Sequence, residues 1–89
     1  NKKVRDKNSS QKLTFRDQHA LETIPTMIDE LNESISKYSE VLADPTLFQS
    51  DPNRFAETTK MLQKAENDLF LLEERWFELE VLREEKQNR

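Results

Sequence analysis

The side chains that could do chemistry are few, and they are badly spaced for it. His19 is the only histidine. With Glu22 it has the i, i+3 spacing of carboxylate-bridged metal sites, but such sites draw further carboxylates from other helices. A surface or structural histidine is the favoured reading by roughly ten to one. Asp17, His19 and the scattered serines form no nucleophile–base pair that the spacing supports. The 89 residues include no cysteine, which removes disulfides and thiolate metal sites, and no glycine. Without glycine there is neither a phosphate-cradling loop nor a dinucleotide fingerprint, because both need backbone positions that only glycine occupies. The chain is therefore expected to be non-catalytic, with no metal and no cofactor of its own.

The basic residues suggest binding instead. Lys2, Lys3, Arg5, Lys7, Lys12 and Arg16 face only Asp6 within residues 1–16, a net charge of +5. Residues 17–89 carry 8 basic and 17 acidic residues, a net charge of −9. A basic arm on an acidic body is suited to a polyanion. A solvated linker fits the charge at least as well. Farther on, Lys60 and Lys64 lie at i, i+4, and Arg54 precedes them. Such a strip can track a phosphate backbone, or it can pair with Glu57 and Asp68.

The elements that would hold these groups are helices. Charged residues make up 36% of the chain and hydrophobic ones 34%, a balance that fits long amphipathic helices. Leu21, Ile24, Ile28, Leu31, Ile35, Tyr38 and Leu42 recur at alternating spacings of three and four. That is the 3.5-residue period of a coiled coil. Phe55, Thr59, Leu62, Ala65, Leu69, Leu72, Trp76, Leu79 and Leu82 or Arg83 form a second seam of threes and fours. In an antiparallel pair the facing residues keep a constant index sum. Leu42 with Phe55, Ile35 with Leu62 and Ile28 with Leu69 all give 97, so the two seams match each other.

The fold expected is all-α: an antiparallel two-helix coiled-coil hairpin with a short N-terminal helix docked at its base. Residues 1–12 read as a flexible basic linker and residues 13–89 as the folded part. Thr14 and Asp17 form a capping-box pattern that opens a helix over 15–23. Pro25 is expected to end it and to start a second helix over 25–43, since proline suits a first turn. Asp51-Pro52 opens a third helix over 53–85. The index series places Phe15 beside Leu82, with Trp76 and Leu79 closing the base. Between the arms, Asp44-Pro45 and Asp51-Pro52 turn the chain without glycine. Leu47 and Phe48 between them are read as a cap on the seam in preference to an exposed contact point. Phe70 and Phe77 fall off the seam, and the pattern leaves open whether they cover the base, meet the short helix or face a partner.

No apolar run approaches the ~20 residues that span a bilayer, and no secretory signal opens the chain. A monomeric, cytoplasmic module with no membrane partner is the expectation. The first residue, Asn1, points to a piece of a longer protein.

One ordered set of motifs is more specific. It runs Lys12-Leu13-Thr14-Phe15-Arg16-Asp17-Gln18, Leu21-Glu22-Thr23-Ile24-Pro25, Asp44-Pro45-Thr46-Leu47-Phe48, Asp51-Pro52-Asn53-Arg54-Phe55 and Glu73-Glu74-Arg75-Trp76-Phe77-Glu78-Leu79-Glu80. Over about residues 12–84 this resembles the C-terminal domain of Uup-type ABC-F ATPases. It departs at Phe15, where the family often has tyrosine. The resemblance implies a parent with two ATP-binding cassettes, which would bind ATP and Mg and hydrolyse the nucleotide outside this segment. It also implies nucleic-acid binding: DNA for Uup-type proteins, ribosomal RNA at the ribosome for ABC-F proteins more broadly.

Two functions follow as expectations. The first is a nucleic-acid-binding module that contacts phosphates through Lys2, Lys3, Arg5, Lys7, Lys12, Arg16, Arg54, Lys60 and Lys64. The second is a protein-interaction arm that docks on its own cassettes or on another protein through Leu47, Phe48 and the off-seam aromatics. Steep salt dependence marks the first, and sensitivity to Leu47 or Phe48 marks the second.

Overall fold

The computed structural model describes residues 13–87, so Lys2, Lys3, Arg5, Lys7 and Lys12 lie outside the described residues. Helix α1 spans Phe15–Leu42, α2 is the single turn Leu47–Ser50, and α3 spans Pro52–Gln87. The chain is an all-α helical hairpin in which α1 and α3 pack along each other and α2 sits at the tip.

Local chemistry sets the boundaries. Thr14 Oγ1 accepts the Asp17 backbone N–H at 3.0 Å, and the Thr14 N–H donates to Asp17 Oδ2 at 3.4 Å. This reciprocal capping box satisfies two N–H groups that a helix start leaves without partners. At the other end of α1, the Ala43 N–H closes on the carbonyls of Ser39 and Glu40. Asp44 then makes an Asx turn, its Oδ1 accepting the Thr46 N–H at 2.9 Å and the Thr46 hydroxyl at 2.8 Å. Asp51 caps α3 by accepting the Arg54 N–H at 3.1 Å, and Pro52 follows as the first helical residue.

The expected break at Pro25 is absent, and with it the separate N-terminal helix. Pro25 lies inside a continuous α1. Proline in a helix interior costs one hydrogen bond and a clash with the preceding turn, about 3 kcal/mol relative to alanine. The seam runs unbroken through it as Leu21, Ile24 and Ile28, and Ile24 is the buried residue of α1. Pro25 itself is exposed. Burial of the seam on either side holds the helix together across the proline, which sits where water can reach the turn. Phe15 is a second correction. It is 84% exposed and does not dock on Leu82.

Every seam position from Leu21 to Leu42 and from Phe55 to Leu82 is buried or half-buried. The deepest are Ile24, Ala65 and Leu79, the last at 1% exposure. Leu47 at the tip is buried, and so is Thr58, next to the seam residue Thr59. Phe48 stays 63% exposed, with its ring edge-to-face on Phe55 at 5.3 Å between centroids. Leu47 thus closes the end of the seam, while Phe48 covers Phe55 and leaves one face to water. No helix among the described residues is long and apolar enough to cross a membrane.

Candidate nucleic-acid interface

Arg54, Lys60 and Lys64 stand on the first half of α3, all exposed. At ~100° per residue, Lys60 and Lys64 are about 40° apart and share a face. Arg54 is about 120° from Lys60, so the three do not form one strip. Lys64 Nζ meets Asp68 Oδ2 at 3.1 Å, an i, i+4 pair in which the lysine side chain remains 78% exposed. Such a pair contributes about 0.3–0.5 kcal/mol and is easily exchanged for a phosphate. Arg16 lies in the first turn of α1, at the end of the hairpin away from Arg54. A rise of ~1.5 Å per residue puts the two about 40 Å apart. The described candidates therefore divide into an exposed lysine pair on α3, an arginine near the tip and an arginine near the base.

The base carries an ion pair between the two arms. Arg75 Nη2 lies 3.3 Å from Asp17 Oδ1 and Nη1 lies 3.8 Å from Glu78 Oε1. Asp17 thus serves both the helix cap and the cross-arm contact. Arg83 pairs with Glu80 on the same helix. At the tip, the Asp44 carboxyl is pushed below its ordinary 3.8 by the Thr46 backbone N–H and, secondarily, by the Thr46 hydroxyl. His19 and Glu22 are both exposed on α1. Among the described residues no group of three or more His, Cys, Asp or Glu could hold a metal ion.

The off-seam aromatics settle on the surface. Phe70 is 56% and Phe77 64% exposed, so neither covers the base nor meets another helix. With Glu73, Glu74 and Glu78 they line a shallow depression of about 290 Å³. A larger groove of about 520 Å³ runs between the arms, lined by Met27, Glu30, Leu31, Ser34, Asp68, Leu71 and Leu72. The exposure of Met27 and Leu71 was not legible from the seam, because both lie beside it and only the packing of two helices decides how far a flank is covered.

The described residues form an elongated helical hairpin, and comparison with known proteins gives its family. A family model described as ABC transporter C-terminal domain matches residues 12–81. The chain belongs to this family. The C-terminal domain is similar to two curated proteins of Haemophilus influenzae (strain ATCC 51907 / DSM 11121 / KW20 / Rd). They are an "ATP-binding protein Uup-like" and an "ATP-binding protein Uup", each 34% identical over 74 residues. The matches cover 83% of this chain but only 16% and 11% of those relatives, so the chain spans a small part of their length. No solved structure gives a significant match. Together the family model and the two relatives support the reading made from the residues, a C-terminal domain of a Uup-type ABC-F protein.

Proposed function

We propose that this domain is a non-catalytic nucleic-acid-binding extension of a cytoplasmic ABC-F ATPase, taking DNA or structured ribosomal RNA by phosphate contacts. The observation that carries the reading is the charge division, +5 over residues 1–16 against −9 over the rest. Within the arm, Lys2, Lys3, Arg5, Lys7 and Lys12 supply the density of cations that phosphate binding needs. Arg16 continues it into α1. Lys60 and Lys64 are a secondary contact on the opposite half of the hairpin. In this reading the hairpin is an antiparallel coiled coil that acts as a rigid, monomeric spacer. ATP and its Mg ion belong to cassettes elsewhere in the protein, since a chain with no glycine cannot form their phosphate loop.

The test is a fluorescence-anisotropy titration of the 89-residue chain against single-stranded DNA, duplex DNA and hairpin RNA over a range of salt. Binding should weaken steeply with salt. Lys2→Glu/Lys3→Glu/Arg5→Glu/Lys7→Glu should abolish it near physiological salt. Lys60→Glu/Lys64→Glu should weaken it less and lower the salt slope by about two. Absence of binding at low salt sinks the reading.

The exposed aromatics favour a second reading, a protein-interaction arm that docks on its own cassettes or on another protein. Phe48 at the tip is exposed on a fixed turn, and Phe70 and Phe77 are exposed on α3. In that case Phe48→Ala would remove binding with little salt dependence.

A further inference from the structure

Phe70, Phe77 and Val81 stand seven and four residues apart on α3, within an arc of about 40° around the helix axis. All three are exposed, at 56%, 64% and 39%. They form an apolar stripe that no other described element covers. Glutamates line both edges. Glu66, Glu73 and Glu84 fall to one side of it and Glu74, Glu78 and Glu85 to the other. Glu73 and Glu74 have no cationic partner among the described residues, whereas Glu78 shares Arg75 with Asp17. An apolar line edged with carboxylates on both sides matches a segment that carries cations around an apolar residue.

We infer that the chain's own residues 2–7 dock on this stripe. Their sequence, Lys2-Lys3-Val4-Arg5-Asp6-Lys7, places one valine among four cations. Val4 then meets the phenyl rings, while the lysines and Arg5 meet the glutamates. Arg5 also has ring faces within its reach, which attract a guanidinium.

Chain length permits this. The Asp17–Arg75 ion pair fixes the start of α1 within about one turn of Arg75, and Arg75 lies between Phe70 and Phe77 in sequence. The arm therefore leaves the hairpin level with the stripe. Asn8, Ser9, Ser10 and Gln11 form an uncharged spacer behind the cationic block. Six residues from Leu13 back to Lys7 reach ~20 Å, and half the circumference of a helix ~10–12 Å across is about 17 Å. A tether this short gives an effective concentration on the order of millimolar. Even a weak intrinsic contact is then occupied much of the time.

The consequence rests on the nucleic-acid reading proposed above. The same cations would serve the stripe and the polyanion, so the acidic helix competes with the ligand for the arm. If four chains in five hold the arm docked, the apparent dissociation constant for the polyanion rises about fivefold.

A nitroxide placed on Asn1→Cys tests the docking without any nucleic acid. The chain has no native cysteine, so labelling is specific. At low salt the label should broaden backbone amide signals over residues 70–81, and high salt should restore them. Broadening confined to the first turn of α1, or spread evenly along the hairpin, overturns the inference. So does broadening over 70–81 that survives Phe70→Ser/Phe77→Ser/Glu73→Gln/Glu74→Gln, whose sites are all exposed. The same four substitutions in unlabelled chain should tighten binding of a 20-nucleotide single strand about fivefold. Unchanged affinity overturns the competition. If no oligonucleotide binds either protein, the nucleic-acid reading fails while the broadening still decides the docking.

Discussion

Three carboxylates do structural work that their sequence neighbours announce. Asp17 answers Thr14 three residues back, Asp44 precedes Pro45 and Thr46, and Asp51 precedes Pro52. Each holds a backbone N–H, or in Asp17 a cap and a guanidinium, at a point where a helix begins or ends. Asp44 shows the pH consequence. Its folded-state pKa lies below 3.8 because the charged form accepts two hydrogen bonds from Thr46. A depressed carboxyl stabilises the fold above its unfolded pKa and loses that contribution as pH falls through the folded value. The tip should therefore loosen only below about pH 4. Asp44→Ala should flatten that acid limb of a thermal-melt series against pH, and an unaltered profile would show that the Asx turn carries no linkage. Thr14→Ala should lower stability by about 1 kcal/mol, read from a urea midpoint. These turns and caps were legible because short-range chemistry at fixed offsets makes them. The exposure of Phe15 was not, since its place in an index series says nothing about whether the partner helix curves toward it.

The elements show the competition between local preference and burial. A reading by propensity ends a helix at Thr23, because Pro25 disfavours the α conformation of Ile24 before it. The seam argues the other way, and it prevails. Leu21, Ile24 and Ile28 all face α3 only if the backbone stays helical across Pro25. Burying such side chains is worth ~1.5–3 kcal/mol each, which together exceeds the penalty for proline. If Pro25 is tolerated rather than required, Pro25→Ala should stabilise the hairpin by about 1–3 kcal/mol in urea denaturation. Destabilisation would mean that a bend at Pro25 is needed to keep α1 on α3. Most of the seam was legible, because spacings of three and four depend on side-chain type alone, but the burial of Thr58 beside Thr59 was not. Leu79, at 1% exposure, is the seam's deepest member. Leu79→Ala should cost about 2–5 kcal/mol, enough to leave so small a core largely unfolded at 37 °C.

At the largest scale, the described residues form a rod of 65 × 23 × 15 Å, with a radius of gyration of 19.5 Å. A compact chain of this length would have ~12 Å. Two helices enclose only one seam, so much apolar surface stays open, including the groove of Met27, Leu31, Leu71 and Leu72 between the arms. That groove offers a second copy of the hairpin a place to lie, and four helices would bury more than two. Charge opposes it. Glu30 and Asp68 rim the groove, and the body from residue 17 onward carries −9. Two copies would bring like-charged bodies together, with Lys64 beside Asp68 offsetting only part of the rim charge, which opposes association at moderate salt. The seam, meanwhile, is already filled within one chain. Small-angle scattering should therefore return a mass near 10.6 kDa and a radius of gyration near 20 Å over a wide concentration range. A mass of twice that value at low ionic strength would make the groove an interface between copies and overturn the monomeric spacer. A doubling that appears only at high salt would locate the barrier in the acidic rims, and Glu30→Gln/Asp68→Asn should then dimerise at low salt as well.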